Sequence, residues 1–277
     1  MSIIVSVKIH EGVVMATDSA TTFLQPDGGI GQIYANADKM VNLVKGLPIG
    51  VMTCGSANIG NAAIATLLKD LRALLSAENQ TDPWKLNLHG YTMEEAAGLV
   101  QAFFMQCTQE AGAKGLLRLR VCGYSAGAAL PEVWDISQME GECPPARLIQ
   151  GPERIGVLWE GDYEALDRLI LGNPTRMKDA AIKLFELTEE QAMESRTRLI
   201  GELYERLIVP AAPIQEAVDL ARFLVETTIG FIRFSVTRPK TVSGPIEIAA
   251  ITKHEGFNWI QRNNFFPAIP NGFVPQA

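Results

Sequence analysis

Residues 1–22 read MSIIVSVKIHEGVVMATDSATT, and the fold turns on how they are read. Ile3, Val5, Val7 and Ile9 alternate with Ile4, Ser6, Lys8 and His10, which is the period of a strand with one face buried. Glu11-Gly12 then makes a tight turn into Val13-Val14-Met15-Ala16, so the spacing predicts a β-hairpin. Chain ends are ordinarily loose. A strand that starts at the third residue predicts a terminus held in place for a reason.

Outward from the hairpin, residues 25–31 read as a Gly-rich loop, and strands are expected near 39–44 and 49–53, joined by Lys45-Gly46-Leu47-Pro48. After Gly55-Ser56-Ala57-Asn58 the period changes. Ile59, Ala62, Ala63, Leu67, Leu71 and Leu74 recur at helical spacing, and a loop with Asp82-Pro83-Trp84 follows. Thr92 with Glu95 three residues on is a capping box, and Ala96, Leu99, Val100, Phe103 and Phe104 form the apolar face behind it. Strands are expected again at 117–124 and 131–136. A long helical stretch is expected at about 163–234, broken by Gly172-Asn173-Pro174 and a Pro-rich segment at 210–213, and strands close the chain at 246–252 and 258–260. Strands and helices grouped in blocks argue for antiparallel sheets covered by helices. The expectation is one α+β domain over 1–277.

With 47% hydrophobic residues in 277, the chain can fill a sizeable core. A net charge of −7 without a Lys/Arg cluster excludes a nucleic-acid partner on electrostatic grounds. No apolar run approaches the roughly 20 residues of a membrane span, and no leader pattern opens the chain, so a cytoplasmic location without membrane attachment is expected. Cys54, Cys107, Cys122 and Cys143 lack CxxC spacing and read as buried free thiols. His10, His89 and His254 are scattered, so neither a metal nor a cofactor is expected. Gly28-Gly29-Ile30-Gly31 does not join a strand to a helix and fails as a nucleotide loop. Gly123-Tyr124-Ser125-Ala126-Gly127 has GxSxG spacing, but a strand follows where a nucleophile elbow needs a helix, so a hairpin turn is predicted.

Four features could carry chemistry. Ser2 is small enough for removal of Met1 to be expected, which would place a hydroxyl and a free α-amine on one residue; an α-amine titrates near 8 and can accept the hydroxyl proton. Asp18 ends the hairpin's second strand, so it returns beside the terminus. Lys39 opens the next strand, and a second positive charge near an amine favours its neutral form. Gly55 stands where a strand is expected to turn into a helix, with N–H groups able to receive an oxyanion. Each has a plainer reading, as a common second residue, a strand-end acid, a solvated lysine or ordinary turn chemistry.

The spacing of all four resembles the proteasome β-subunit family of N-terminal nucleophile hydrolases. The matching text is Ser2 to Lys8, Gly12 to Thr22, Asp38-Lys39-Met40 and Gly55-Ser56-Ala57-Asn58, with fainter likeness at Cys122-Gly123-Tyr124 and Ser243-Gly244. Within it the bacterial homologues, the ancestral β-subunit or Anbu group, are most similar, through residues 159–168 and 242–247. The resemblance implies a four-layer αββα sandwich and cleavage of peptide or protein substrates through an acyl-enzyme. It also implies a homo-oligomeric ring or related assembly and no cofactor; whether an unfoldase is a partner is left open by the sequence. It makes Ser2 the nucleophile, Asp18 and Lys39 its charged partners, and Gly55 the oxyanion donor, with Ser19 and Ser243 in support. The sequence departs from the pattern in having serine for threonine at the nucleophile, Lys240 where an aspartate is common, and Glu160 or Gly161 where a serine often stands. The helical region at about 176–210 is longer than in a minimal subunit. Two alternatives stay open: a catalytically silent ring-forming subunit, and a narrow-specificity amidase or acyl-transferase on the same fold.

Overall fold

The computed structural model describes residues 2–24, 29–77 and 83–263. The expected hairpin is present as β1 (Ile3–Lys8) and β2 (Gly12–Asp18), antiparallel, with Val7 opposite Val14 and Ile4 opposite Thr17. It forms the middle of a five-stranded antiparallel sheet. β12 (Gly156–Gly161) pairs with β1 on one side; β13 (Ile246–Thr252) and β14 (Gly256–Gln261) continue from β2 on the other. A second antiparallel sheet runs in the order β11 (Arg147–Gln150), β10 (Glu132–Gln138), β9 (Leu117–Gly123), β6 (Ile49–Gly55), β5 (Met40–Asn42).

Three apolar cores stack these sheets into four layers. Ile4, Val13 and Met15 of the first sheet meet Met52, Cys122 and Val133 of the second. The outer face of the second sheet packs on α1 (Ile64–Leu75) and α2 (Met93–Ala111), through Val51 and Leu119 against Leu68, Leu71 and Phe104. The outer face of the first packs on α3 (Glu164–Ile170) and α6 (Ile214–Phe234), through Ile3, Val5 and Val7 against Leu166, Leu224 and Val225. The architecture is thus the αββα sandwich. Burying this much apolar area, at about 25 cal/mol per Å², is the main force behind it.

One reading of β1 needs correction. Its alternation predicts one wet face, but every residue of the strand is buried, because the second face looks into the other sheet. The polar residues there are satisfied internally. Lys8 Nζ donates to the carbonyls of Gly151 (2.5 Å) and Pro152 (2.9 Å), and burial lowers its pKa to about 8. Ser6 Oγ accepts from Arg120, which is itself paired with Asp135 at 2.9 Å.

α2 opens on the expected capping box: Glu95 N donates to Thr92 Oγ1 (3.1 Å) and Thr92 N to the Glu95 carboxylate (2.8 Å). The GxSxG segment is the turn between β9 and β10, with Ser125 Oγ accepting from Met93 N. The sequence reading placed no element at β11 or β12, whose short runs carry little alternation. The Gly-rich loop expected at 25–31 gives way at Ile30 and Gly31 to a strand, in the hairpin of β3 (Thr21–Leu24) and β4 (Ile30–Tyr34); residues 25–28 lie outside the described residues. A small hairpin, β7 (Asn58–Ile59) with β8 (Ala62–Ala63), takes up the residues expected to begin the first helix. Gly55 therefore ends β6 at a strand-to-hairpin corner, several residues before α1. The long helical stretch divides into α3, α4 (Met177–Phe185), α5 (Glu189–Leu203) and α6.

Candidate active site

The hairpin register carries the end of β2 back beside the chain start, and Asp18 is wholly buried there. Its carboxylate is held by three main-chain N–H groups: Ile3 donates to Oδ1 (3.1 Å), and Ala20 (3.1 Å) and Ser243 (3.2 Å) donate to Oδ2. Oδ1 also receives Lys39 Nζ at 2.7 Å. The same ammonium donates to Ser2 Oγ at 2.9 Å. Hydroxyl, ammonium and carboxylate thus form one chain, all buried.

Lys39 reaches this point because its main chain is fixed from two strands. Its carbonyl accepts from Thr53 N of β6 (2.9 Å), and its N–H donates to the Glu247 carboxylate of β13 (3.1 Å). Ser2 is fixed likewise, its carbonyl accepting from Asp162 N at 2.7 Å. Gly161, just before, has φ +105°, and a Cβ there would stand 2.0 Å from the Ser2 carbonyl oxygen, so no side chain fits.

Gly55 and Ser2 line one cavity of about 610 Å³. Gly55 has φ +106°, and a Cβ would stand 2.4 Å from the Leu116 carbonyl oxygen. The next N–H, of Ser56, already donates to that carbonyl at 2.7 Å. At the mouth of the cavity Phe23 and Tyr34 meet edge to face at 5.8 Å, both exposed. Along the same wall Asp38 pairs with Lys69 at 2.6 Å, so the cationic groups there, Lys39 and Lys69, each have an acidic partner.

The two serines expected to support the site, Ser19 and Ser243, neighbour Asp18 through their backbones. Ser19 Oγ donates to the Pro245 carbonyl (2.7 Å), Ser19 N donates to the Ser243 carbonyl (3.3 Å), and Ser243 N reaches Asp18. They stitch the segment before β13 onto the end of β2. Lys240 stands elsewhere: its ammonium donates to the carbonyls of Ile232 and Ser235, closing the C-terminus of α6. Cys54, also lining the cavity, is pushed up to about 12 by burial and holds its proton.

Two acids beside the site were not singled out from the sequence. Glu247 is fully buried, visible only as a lone charge inside the apolar run Ile246–Thr252. Asp162 is buried 3.2 Å from Arg238, yet neither of its carboxylate oxygens makes a hydrogen bond of good geometry; burial raises its pKa against the guanidinium. Among the described residues, no group of His, Cys, Asp and Glu side chains is arranged to hold a metal, and no helix is long and apolar enough to cross a membrane.

No family model matches the sequence, and no curated protein matches it. Solved structures do. Anbu (ancestral beta-subunit) from Yersinia bercovieri superposes with a TM-score of 0.53 over 94% of this chain and 88% of that one, at 16% identity. The chain has the Anbu fold. A Gly-1 mutant of Anbu from Hyphomicrobium sp. strain MC1 is similar to a like degree, with a TM-score of 0.52 at 14% identity, covering 94% of this chain and 85% of that one. Coverage this high spans both sheets and the helical layers of the Anbu fold together, so the likeness extends well beyond the opening hairpin.

Proposed function

We propose that the protein is an N-terminal serine hydrolase that cleaves amide bonds in peptides or proteins through an acyl-enzyme. The observation that carries this reading is the buried chain Ser2 Oγ, Lys39 Nζ, Asp18 Oδ1 opening into a cavity beside Gly55. Removal of Met1 would free the Ser2 α-amine. That amine takes the hydroxyl proton as Ser2 Oγ bonds to the substrate carbonyl carbon. Lys39, its charge balanced by Asp18, stabilises the oxygen as it becomes anionic, and the Gly55 N–H receives the oxyanion. The amide C–N bond then breaks, and the leaving nitrogen takes the proton back from the α-ammonium. Water, deprotonated by the same amine, attacks the ester and restores Ser2.

A homo-oligomer belongs to this reading. α4 buries none of its residues within the chain, and Leu184 and Phe185 at its end are about 70% exposed, a surface suited to a second copy.

Intact mass before and after exposure to a hydroxyl-reactive β-lactone tests the chemistry. Loss of Met1 with one adduct on Ser2, absent in Ser2→Ala, supports it. Retained Met1 and no adduct would leave a ring-forming scaffold as the function.

A further inference from the structure

Glu247 of β13 stands opposite Thr17, one residue from Asp18, and is fully buried. Its Oε2 accepts the Lys39 N–H at 3.1 Å, while its Oε1 makes no hydrogen bond. Asp38, the residue before Lys39, is similar: Oδ2 takes Lys69 Nζ at 2.6 Å and Oδ1 makes no hydrogen bond. The peptide that carries the site's lysine thus lies beside two buried carboxyl groups, that of Glu247 bonded to its N–H and that of Asp38 on the preceding residue, each with one oxygen lacking a hydrogen-bond partner. Burial disfavours the charged form of a carboxyl group, and a negative charge nearby adds to this.

We propose that Glu247 is a positioning residue for Lys39: its carboxyl pins the lysine's main chain and, by carrying a proton, leaves the lysine's charge to Asp18 and Ser2. The inference rests on the reading of Ser2 as nucleophile. The groups facing Glu247 act in both directions. Burial raises its pKa to about 7, with Asp38 adding to the rise, while the Lys39 and Asn263 N–H groups and the Arg262 guanidinium work against it. The Lys69 ammonium on α1 reaches the cluster only through Asp38, and Asp18 on β2 is occupied by Lys39. When Glu247 gives its proton to water above pH 7, the new negative charge competes with Asp18 and Ser2 for the lysine's charge and favours the protonated Ser2 amine, which slows attack by the hydroxyl.

The test compares wild type, Glu247→Gln and Glu247→Ala in two measurements from pH 5.5 to 8.5. One is the rate of Ser2 acylation by a β-lactone; the other is the urea midpoint. Glutamine keeps an acceptor for Lys39 N–H and cannot ionise, so the Glu247→Gln to wild-type ratio of acylation rates is expected to rise about threefold between pH 6 and 8. Glu247→Ala, lacking the acceptor, is expected to acylate about tenfold more slowly at every pH. The folded pKa lies above the unfolded value, so Glu247's own contribution to stability is fully present below about 4.5 and is lost as pH rises through 7; that loss is expected to be absent in Glu247→Gln, read as the difference between the two urea midpoints. Parallel wild-type and Glu247→Gln curves in both measurements would overturn the proposal. If wild type never acylates, the nucleophile reading falls, and the urea arm still decides whether Glu247 carries the proton.

Discussion

The end of the first hairpin and the α4–α5 pair are opposites in how they treat polarity. At the hairpin, Ser2, Asp18, Lys39 and Glu247 are all buried, and main-chain N–H groups hold the two carboxylates. In α4 and α5 Ala192 is the one buried residue, while Leu184, Phe185, Met193 and Leu203 face solvent. Burying charge costs several kcal/mol per ion unless partners compensate, and exposing large apolar groups forgoes burial. A chain that does both bears two costs, which the proposed chemistry at the first region and a proposed contact with a second copy at the second would each account for.

The largest effect that would break this contrast is expected from Lys39→Ala. It removes the cation between Ser2 and Asp18, and Ser2 acylation should fall by about 100-fold or more. It also strands a buried carboxylate, at about 3 kcal/mol of stability less whatever its three N–H donors recover, read as a lower urea midpoint at neutral pH. An enzyme near wild-type rate after this change would remove the site.

Gly55→Ala comes next. Positive φ and a carbonyl 2.4 Å from the new Cβ predict a loss of about 1–3 kcal/mol and an acylation rate reduced more than stability accounts for, since the adjacent N–H shifts. Equal stability and equal rate would deny the corner any role.

A smaller effect is expected from pH at Lys8. Its folded pKa of about 8 lies below the ordinary lysine value, so the folded state binds fewer protons between about 8 and 10.5 and stability rises with pH there. Lys8→Met should abolish that rise, about 1–3 kcal/mol in chemical denaturation at pH 7 against pH 10. The same slope in both proteins would mean the ammonium is better solvated than its burial implies.

The smallest effect on the folded chain is expected from Phe185→Ser. An exposed side chain contributes within about 0.5 kcal/mol, yet the molar mass in solution by light scattering should drop if this surface joins copies. An unchanged mass would move the interface elsewhere.

Much of this protein was determined by its sequence. Period-two alternation and the Glu11-Gly12 turn specify the hairpin, and a capping box specifies the start of α2, because both depend on neighbours a few residues apart. The hairpin implied that Asp18 returns beside Ser2, since the end of its second strand lies at the start of its first; Lys39 joined them only through the resemblance. Only tertiary structure decided the rest. That β1 is buried on both faces depends on a second sheet assembled from residues 40–150, and local alternation cannot report it. β12 is a strand because β1 offers an edge to pair with. Gly55 sits before a hairpin rather than a helix because β7 and β8 pair, which their composition does not announce. Glu247 lies 208 residues from Lys39, and its role depends on β13 stacking beside β2, so no periodicity could have joined the two. Alternation and caps are short-range and can be read along the chain; the burial of a charge is a property of what the whole chain places around it.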